Sequence, residues 1–198
     1  MSSALHRPGL PLFPLNTVVF PGGRLPLRVF EQRYIEMVKQ AIADNSPFGI
    51  CAIREGTETG TPAVPYTIGT RVRITDWDMP ETGILHIDTQ AETRFVIRHT
   101  QTEPNGLLIG TVDDVSAEPA MAVPHDLELA VEILRHIIDE YGHARFPAPL
   151  AYDDAVWVGY RLSEVLPLKL SVKQNLLEMN DSVTRLRILT EFLRRQIN

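Results

Sequence analysis

Six histidines are the side chains of this chain best suited to bind a metal or to move protons near neutral pH: His6, His86, His99, His125, His136 and His143. No two of them stand four apart, the spacing that puts a ligand pair on one helix face. His86 and His99 fall on predicted strands that can pair. No cysteine or second carboxylate completes a ligand set with them, so surface or half-buried imidazoles are expected and no metal site. Cys51 is the single cysteine and cannot form an internal disulfide. Inside FGICAI, Phe48 to Ile53, it reads as a buried small hydrophobe rather than a nucleophile.

Two acid pairs, Asp113-Asp114 and Asp153-Asp154, have the composition for acid-base work or cation binding. Adjacent residues on a strand face opposite ways and adjacent helical residues diverge, so neither pair converges on one point. Asp153-Asp154 lies where a helix begins, and carboxylates there satisfy free amides and the helix dipole. Gly22-Gly23 follow Pro21 between two strands and read as turn residues, not a phosphate cradle. There is no Gly-x-x-x-x-Gly-Lys-[Ser/Thr] loop. Lys39, Lys169 and Lys173 are the only lysines, and none follows a glycine-rich turn. Lys173 reads as a solvated helix residue. No catalytic constellation emerges, and no cofactor is expected.

The elements that carry these residues divide the chain near Glu118 to Pro124, EPAMAVP, where strand-like alternation gives way to helical periodicity. Extended segments are expected at 10–15, 25–29, 48–54, 68–79, 83–89, 93–101 and 107–115. Short strands broken by frequent turn signals favour a closed or nearly closed antiparallel barrel, which hides its edges. Within RVRITDW, Val72, Ile74 and Asp76 point one way and Arg71, Arg73 and Thr75 the other. One helix interrupts the strands over 31–43, its Tyr34, Val38 and Ile42 four apart beside Ile35 and Met37.

Four helices are expected after the connector. The first spans 127–141, with Ala130, Leu134, Ile137 and Tyr141 aligned and Gly142 as a left-handed stop. The second spans 153–166 and stops at Pro167. Ser171 to Gln174 has the form of a capping box opening the third. Asp181 caps the fourth, whose Leu186, Leu189, Leu193 and Ile197 make a stripe. Arg185, Arg187, Arg194 and Arg195 complement the dipole of that last helix.

Several strings together resemble the Lon protease N-terminal domain family. LPLFPLNTVVFPGGRLPLRVFEQRY, Leu10 to Tyr34, matches its opening strand, turn, strand and helix. WVGYRLSEVLPLKLSVKQNLLEMNDSVTRLRILTEFL, Trp157 to Leu193, matches its closing Lys-Gln-x-Leu-Leu-Glu-x-x-Asp segment. Gly69 to Val72 and Ala91 to Phe95 stand where the family has two central barrel strands. The resemblance implies an α+β fold: a PUA-like β pseudo-barrel with an inserted helix over 1–118, then a C-terminal α-helical bundle over 119–198. It also implies recognition of unfolded or degron-bearing polypeptide through an apolar groove between the two parts. A full Lon protease adds an ATPase and a Ser-Lys peptidase, the latter needing a desolvated lysine. With neither motif present, a stand-alone, non-enzymatic recognition or adaptor domain is expected, with a protease or chaperone as a further partner.

The 198 residues carry a net charge of −6 and a pI near 5.5, a balance that repels phosphate backbones and anionic membranes. A chain this long buries about 70% of its unfolded surface. No apolar run reaches the ~20 residues that cross a bilayer, and the segment holding His6 and Arg7 lacks a signal-peptide core. A cytoplasmic location is expected. Among the aromatics, Phe13, Phe20, Phe30, Tyr34, Phe48 and Phe95 are expected in the core. Tyr66, Trp77, Phe146, Tyr152 and Trp157 lie near loops or element ends and are the candidates for touching polypeptide. The loop GHARFPAPLAY, 142–152, presents two of them or, alternatively, plugs the seam with Phe146 and Leu150. The rival readings are RNA binding on a face of Arg71, Arg73, Arg94 and Arg98, with a steep salt dependence, and an enzyme with a small-molecule pocket.

Overall fold

The computed structural model describes residues 9–197; His6 and Arg7 lie outside the described residues, as does the side chain of Ile197. Seven strands come first: β1 (Leu10–Leu15), β2 (Arg24–Val29), β3 (Phe48–Glu55), β4 (Val64–Pro65), β5 (Ile68–Glu81), β6 (Ile84–Thr102) and β7 (Leu108–Asp114). Helix α1 (Gln32–Asp44) sits between β2 and β3, and α2 (Glu128–Tyr141), α3 (Ala155–Val165), α4 (Leu170–Glu178) and α5 (Ser182–Ile197) follow.

Five strands close a ring in the order β1-β7-β6-β5-β3, sealed where β3 returns beside β1. That last joint is parallel, from Leu12 opposite Gly49 to Leu15 opposite Ala52, and the others are antiparallel. A parallel joint needs a crossover, which β2 and α1 supply. β2 pairs with β6 and β4 with β3, each on one side only. The segments expected at 83–89 and 93–101 are one strand, β6. Gln90 to Glu92 hold no turn residue, and register shifts opposite Thr70/Val72 and at Ile97/His99 bend the strand without ending it. His86 and His99 therefore lie on this same strand.

Helix α1 lays Tyr34, Ile35, Met37, Val38 and Ala41 on a core that includes Phe13, Phe48, Ile50, Val72, Leu85 and Ile87. It ends at Asn45, whose φ of 47° gives the left-handed cap. A smaller cluster places Phe95 and Cys51 beside Leu10, Leu12 and Leu108. A Cβ on Gly49 or Gly69 would come within 2.6 and 2.7 Å of the Phe95 ring, so that ring is seated only because both positions are bare. Cys51 is 1% exposed and burial raises its thiol pKa, as its apolar surroundings suggest. Phe30, expected in the core, is 58% exposed at the end of β2.

The third core joins α2, α3, α4 and α5 and takes in Val18, Phe20 and Ala52 from the strand region. Asp154 caps α3 by accepting from the Val156 amide at 3.0 Å, and it also holds the Met121 amide of the connector at 3.1 Å. Asp181 accepts from the Thr184 amide at 2.9 Å, and α5 buries Leu186, Leu189 and Leu193. Three local expectations fail. In α2 the buried face is Ala130, Leu134 and Ile138, while Tyr141 is 57% exposed. Gly142 does end α2 at a positive φ of 92°, which favours glycine, but its ψ of 134° lies outside the left-handed helical region. α4 has no capping box: Lys169 holds the N-cap position, and Gln174 is drawn into the interior.

Candidate functional site

Glu118, where the strand region gives way to the helices, carries a carboxylate only 4% exposed. Its Oε1 accepts from the Tyr160 hydroxyl at 2.6 Å and from Arg185 Nη2, with Arg94 Nη2 3.6 Å away. Arg94, from β6, also donates to the Leu177 and Met179 carbonyls and to Asn180 Oδ1 at 2.8 to 2.9 Å, filling the open carbonyl end of α4. Arg185 donates to the Leu176 carbonyl and lies over the Tyr160 ring at 4.4 Å. Arg94 and Arg185 are 2% and 0% exposed. One carboxylate thus fastens β6, the connector, α3, α4 and α5 together. Arg185 is a buried partner of Glu118 and not a surface cation answering the α5 dipole.

A second fastening lies at the β1–β2 turn. Gly22 and Gly23 exchange backbone bonds with Ala91 of β6, at 3.1 and 2.8 Å. Arg161 of α3 donates to the Pro21 carbonyl at 2.8 Å and to Glu164 Oε1 at 2.9 Å. A Cβ on Gly23 would sit 2.1 Å from Glu164 Oε1 and 2.9 Å from the Phe20 carbonyl, so glycine is required there by closeness, while Gly22, at φ 77°, is required by the turn. Gln174 of α4 donates to the Ile68 carbonyl of β5 at 3.0 Å. Lys173 is half-buried, not solvated: its Nζ donates to the Glu164 carbonyl at 2.7 Å, and desolvation lowers its pKa. Burial pushes the Glu164 carboxyl up to about 7, against the pull of Arg161, Lys173 and the Phe20 amide.

Between these fastenings runs a groove of about 380 Å³. One wall is Val18, Val19, Arg24 and Leu25. The other is Tyr141, Arg145, Phe146 and Val165, with Glu164 and Lys173 also on its lining. Phe146 is 7% exposed, so the 142–152 loop places this ring in the seam, as the plugging alternative has it, while its edge still lines the groove.

The other expected contact residues lie apart from it. Tyr66 packs on the helical core. Tyr152 and Trp157 meet edge to face at 5.6 Å, with Arg135 over the Tyr152 ring at 4.3 Å. Trp77, 53% exposed, stands on an arm formed by the far end of β5 and the start of β6, where it pairs opposite Ile87, lining shallow hollows with His86 on one side and Asn45 on the other. The four arginines expected to form an RNA face do not form a free cationic surface. Arg71 pairs with Asp114 at 2.8 Å, Arg73 with Glu92 at 2.8 Å and Arg98 with Asp113 at 2.7 Å, while Arg94 is buried. The acid pair Asp113-Asp114 is thereby accounted for, one carboxylate to each arginine. Among the described residues no cluster of His, Cys, Asp and Glu could hold a metal, and no helix is long and apolar enough to cross a membrane.

Sequence reasoning missed Arg24, Tyr141, Arg145, Glu164 and Val165 as groove residues. No motif marks them, since they meet only through the turn at Gly22-Gly23.

A β-barrel closed by the β1–β3 pairing and buttressed by helices carries the seam groove and, among the described residues, a second hollow of about 500 Å³ between α4 and α5, lined by Leu168, Val172, Ile188 and Phe192. The chain matches the family model described as the ATP-dependent protease La (LON) substrate-binding domain over residues 9–195, and it belongs to that family. It is similar to a Lon N-terminal domain protein from Xanthomonas campestris, at 33% identity and a TM-score of 0.77, covering 91% of this chain and 96% of that one. The N-terminal domain of a Mycobacterium avium complex Lon protease shares the fold, with a TM-score of 0.66 at 17% identity over 92% of this chain and 96% of that one. Lon protease 2 of Myxococcus xanthus is 43% identical over 67 residues, 33% of this chain and 8% of that protein. The Lon protease of Dictyoglomus thermophilum is 26% identical over 95% of this chain and 24% of its own length. The chain thus spans under a quarter of the length of these full Lon proteases, and the matched part is the substrate-binding domain, without the ATPase or protease domain.

Proposed function

We propose that this chain recognises unfolded or degron-bearing polypeptide without acting on it chemically, and that the groove between the β1–β2 turn and the helices takes the apolar side chains. The observation that carries this reading is the groove itself. Val165 and Tyr141, 37% and 57% exposed, stand at its rim over a lining that includes Val18, Val19 and Phe146. Apolar surface left open at a seam that is otherwise tightly bonded marks a docking place. The free side of β2, whose first residues Arg24 and Leu25 line the groove, offers main-chain hydrogen bonds to an added strand. Pro26 has no amide to donate, which suits an edge strand.

In this reading the barrel is PUA-like and the helices form a bundle buttressing it, the division falling at 1–118 and 119–198. A protease or chaperone receives the bound chain, in the cytoplasm, where Cys51 stays reduced. Tyr66, Tyr152 and Trp157 pack on the same core as Val18 and Phe146, and Trp77 on its arm is a separate contact. The pairing of Arg71, Arg73 and Arg98 with carboxylates weighs against RNA. Glu164 is a perturbed acid in a groove, the feature an enzyme would need. It is engaged by Arg161 and the Phe20 amide, and no serine, cysteine or histidine lines the groove with it.

The test is fluorescence anisotropy with a labelled unfolded polypeptide and a labelled short RNA, each at low and moderate salt. Binding of the polypeptide alone, weakened about tenfold by Val165→Asp or Tyr141→Ala, is the expected result. RNA binding with a steep salt slope, or polypeptide binding indifferent to both substitutions, overturns it.

A further inference from the structure

Fifteen arginines lie among the described residues, in a chain whose net charge is −6. Eleven of them have a carboxylate within 4.0 Å: Arg28, Arg33, Arg54, Arg71, Arg73, Arg94, Arg98, Arg161, Arg185, Arg187 and Arg194. The unmatched four are Arg24, Arg135, Arg145 and Arg195. Arg135 is spent on the Tyr152 ring. Arg24 and Arg145 both line the groove, and Lys173 lines it with them. Arg24 bonds only to neutral oxygens, Gln90 Oε1 at 3.4 Å and the Ala144 carbonyl at 3.3 Å, and the Arg145 guanidinium has no partner among the described residues. The groove's one acid, Glu164, already faces Arg161 at 2.9 Å. Arg195 lines the separate hollow between α4 and α5. In a protein that matches most of its described arginines to carboxylates, the seam groove holds two that are unmatched and is left short of negative charge.

The geometry also fixes where that charge enters. A polypeptide laid antiparallel along the free side of β2 travels toward Arg24, the first residue of the strand. Beyond Arg24 the way is closed: Gly23 lies against Glu164 of α3, and Arg24 itself bonds the loop after α2 at Ala144. A chain arriving there must end. We propose that the groove captures the free C-terminal carboxylate of its polypeptide among Arg24, Arg145 and Lys173, with the last apolar side chain laid against Val19, Leu25 and Phe146. The carboxylate supplies the missing charge, and arginine is suited to bind it in bidentate fashion. A single half-buried carboxylate adds only a shallow salt dependence, unlike the several phosphates of an RNA.

This inference rests on the groove being the polypeptide site and is tested so that the two can fail separately. The probe is a short peptide ending in Ala-Leu-Leu, labelled with fluorescein at its N-terminus, measured by anisotropy against the intact chain. Three forms are compared: the free acid, the C-terminal carboxamide, and the carboxamide with an internal aspartate. The free acid binds about tenfold tighter than either carboxamide, the scale of a lost charge-assisted contact. Arg145→Gln, which disturbs no bond of the fold, brings the free acid down to the affinity of the carboxamide without moving the thermal midpoint. Equal binding of acid and carboxamide, both weakened by Val165→Asp, overturns the carboxylate assignment and leaves the groove reading standing. An internal aspartate that restores full affinity overturns the chain-end assignment. Failure of every peptide and of the labelled unfolded polypeptide overturns the groove reading itself.

Discussion

Replacing Glu118 by alanine removes the one carboxylate shared by Arg94, Arg185 and Tyr160 and leaves two guanidinium groups, 2% and 0% exposed, without a counter-charge. Breaking a buried pair in this way costs about 3–5 kcal/mol. The lower end applies, because Arg94 keeps three oxygens at 2.8 to 2.9 Å and Arg185 keeps the Leu176 and Met179 carbonyls. Against a domain stability of about 5–15 kcal/mol this is a large fraction. At roughly 2–4 °C per kcal/mol for a chain of this size, the thermal midpoint falls by about 10 °C. Circular dichroism and tryptophan fluorescence, followed together on heating, read the effect. Both probes should report one transition, since Glu118 ties β6 to α3 and α5. Glu118→Gln, which keeps an acceptor for Tyr160 and loses only the charge, should fall between the wild type and the alanine variant. A midpoint lowered by less than about 2 °C, or an alanine variant no worse than glutamine, would refute the assignment of Glu118 as the fastening of strands to helices.

Gly23→Ala drives a methyl against Glu164 Oε1 and the Phe20 carbonyl, so it should cost about 1–3 kcal/mol in urea unfolding and weaken polypeptide binding by shifting the groove wall. Glu164, raised to about 7 by burial, holds a proton in the folded chain that the unfolded chain releases near pH 4.5. The folded state binds more protons between those values, so this contribution to stability is full below pH 4.5, shrinks as pH rises, and is gone above pH 7. Measured against Glu164→Gln, wild-type stability should decline across that window; a constant difference would show that the carboxyl titrates normally. Cys51, 1% exposed with its thiol pKa raised, should react with a thiol reagent only on the timescale of unfolding. Acrylamide should quench Trp77, 53% exposed, far more readily than Trp157, which packs on Tyr152; Trp77→Phe should leave a weakly quenched emission.

Apolar runs bounded by turn residues located β1 and β3, both buried on two faces, within a residue or two; alternation did the same for β7, and the stripe of α1 located the crossover helix. What stayed hidden is the burial of polar side chains. Arg94 looks solvent-facing beside buried Phe95, but β6 has the barrel core on one face and the end of α4 on the other, so both residues are inside. A signal existed for Arg185, which stands four before Leu189 on the apolar stripe of α5, the place for a buried cation with a dedicated acid. Gln174 carried a similar mark, three before buried Leu177. The groove had no comparable signal: its residues come from 17–25, 141–147 and 164–173, and only the fold brings those segments together.

The same bonds that make the seam rigid decide what the groove can do. Its strand-side wall is held by Gly22 and Gly23 against Ala91, and its helical wall by Arg161 on the Pro21 carbonyl and Gln174 on Ile68. The strand-side wall and the α3–α4 part of the helical wall cannot move without breaking bonds that also hold the fold, and Arg24 bonds the remaining 141–147 segment at Ala144, so a site formed this way loses little ordering entropy on binding. A partner that bridges the two walls adds its binding free energy to the stability of the whole chain, by RT ln(1 + [L]/Kd), about 2.7 kcal/mol at a hundredfold excess over Kd. A peptide bound only on the Trp77 arm bridges nothing, yet it raises the midpoint by the same law if the arm unfolds with the rest. Location is therefore settled by substitution: Val165→Asp should abolish the ligand-induced rise in midpoint, and Trp77→Ala should leave it intact. The reverse pattern would move the polypeptide site from the seam to the arm.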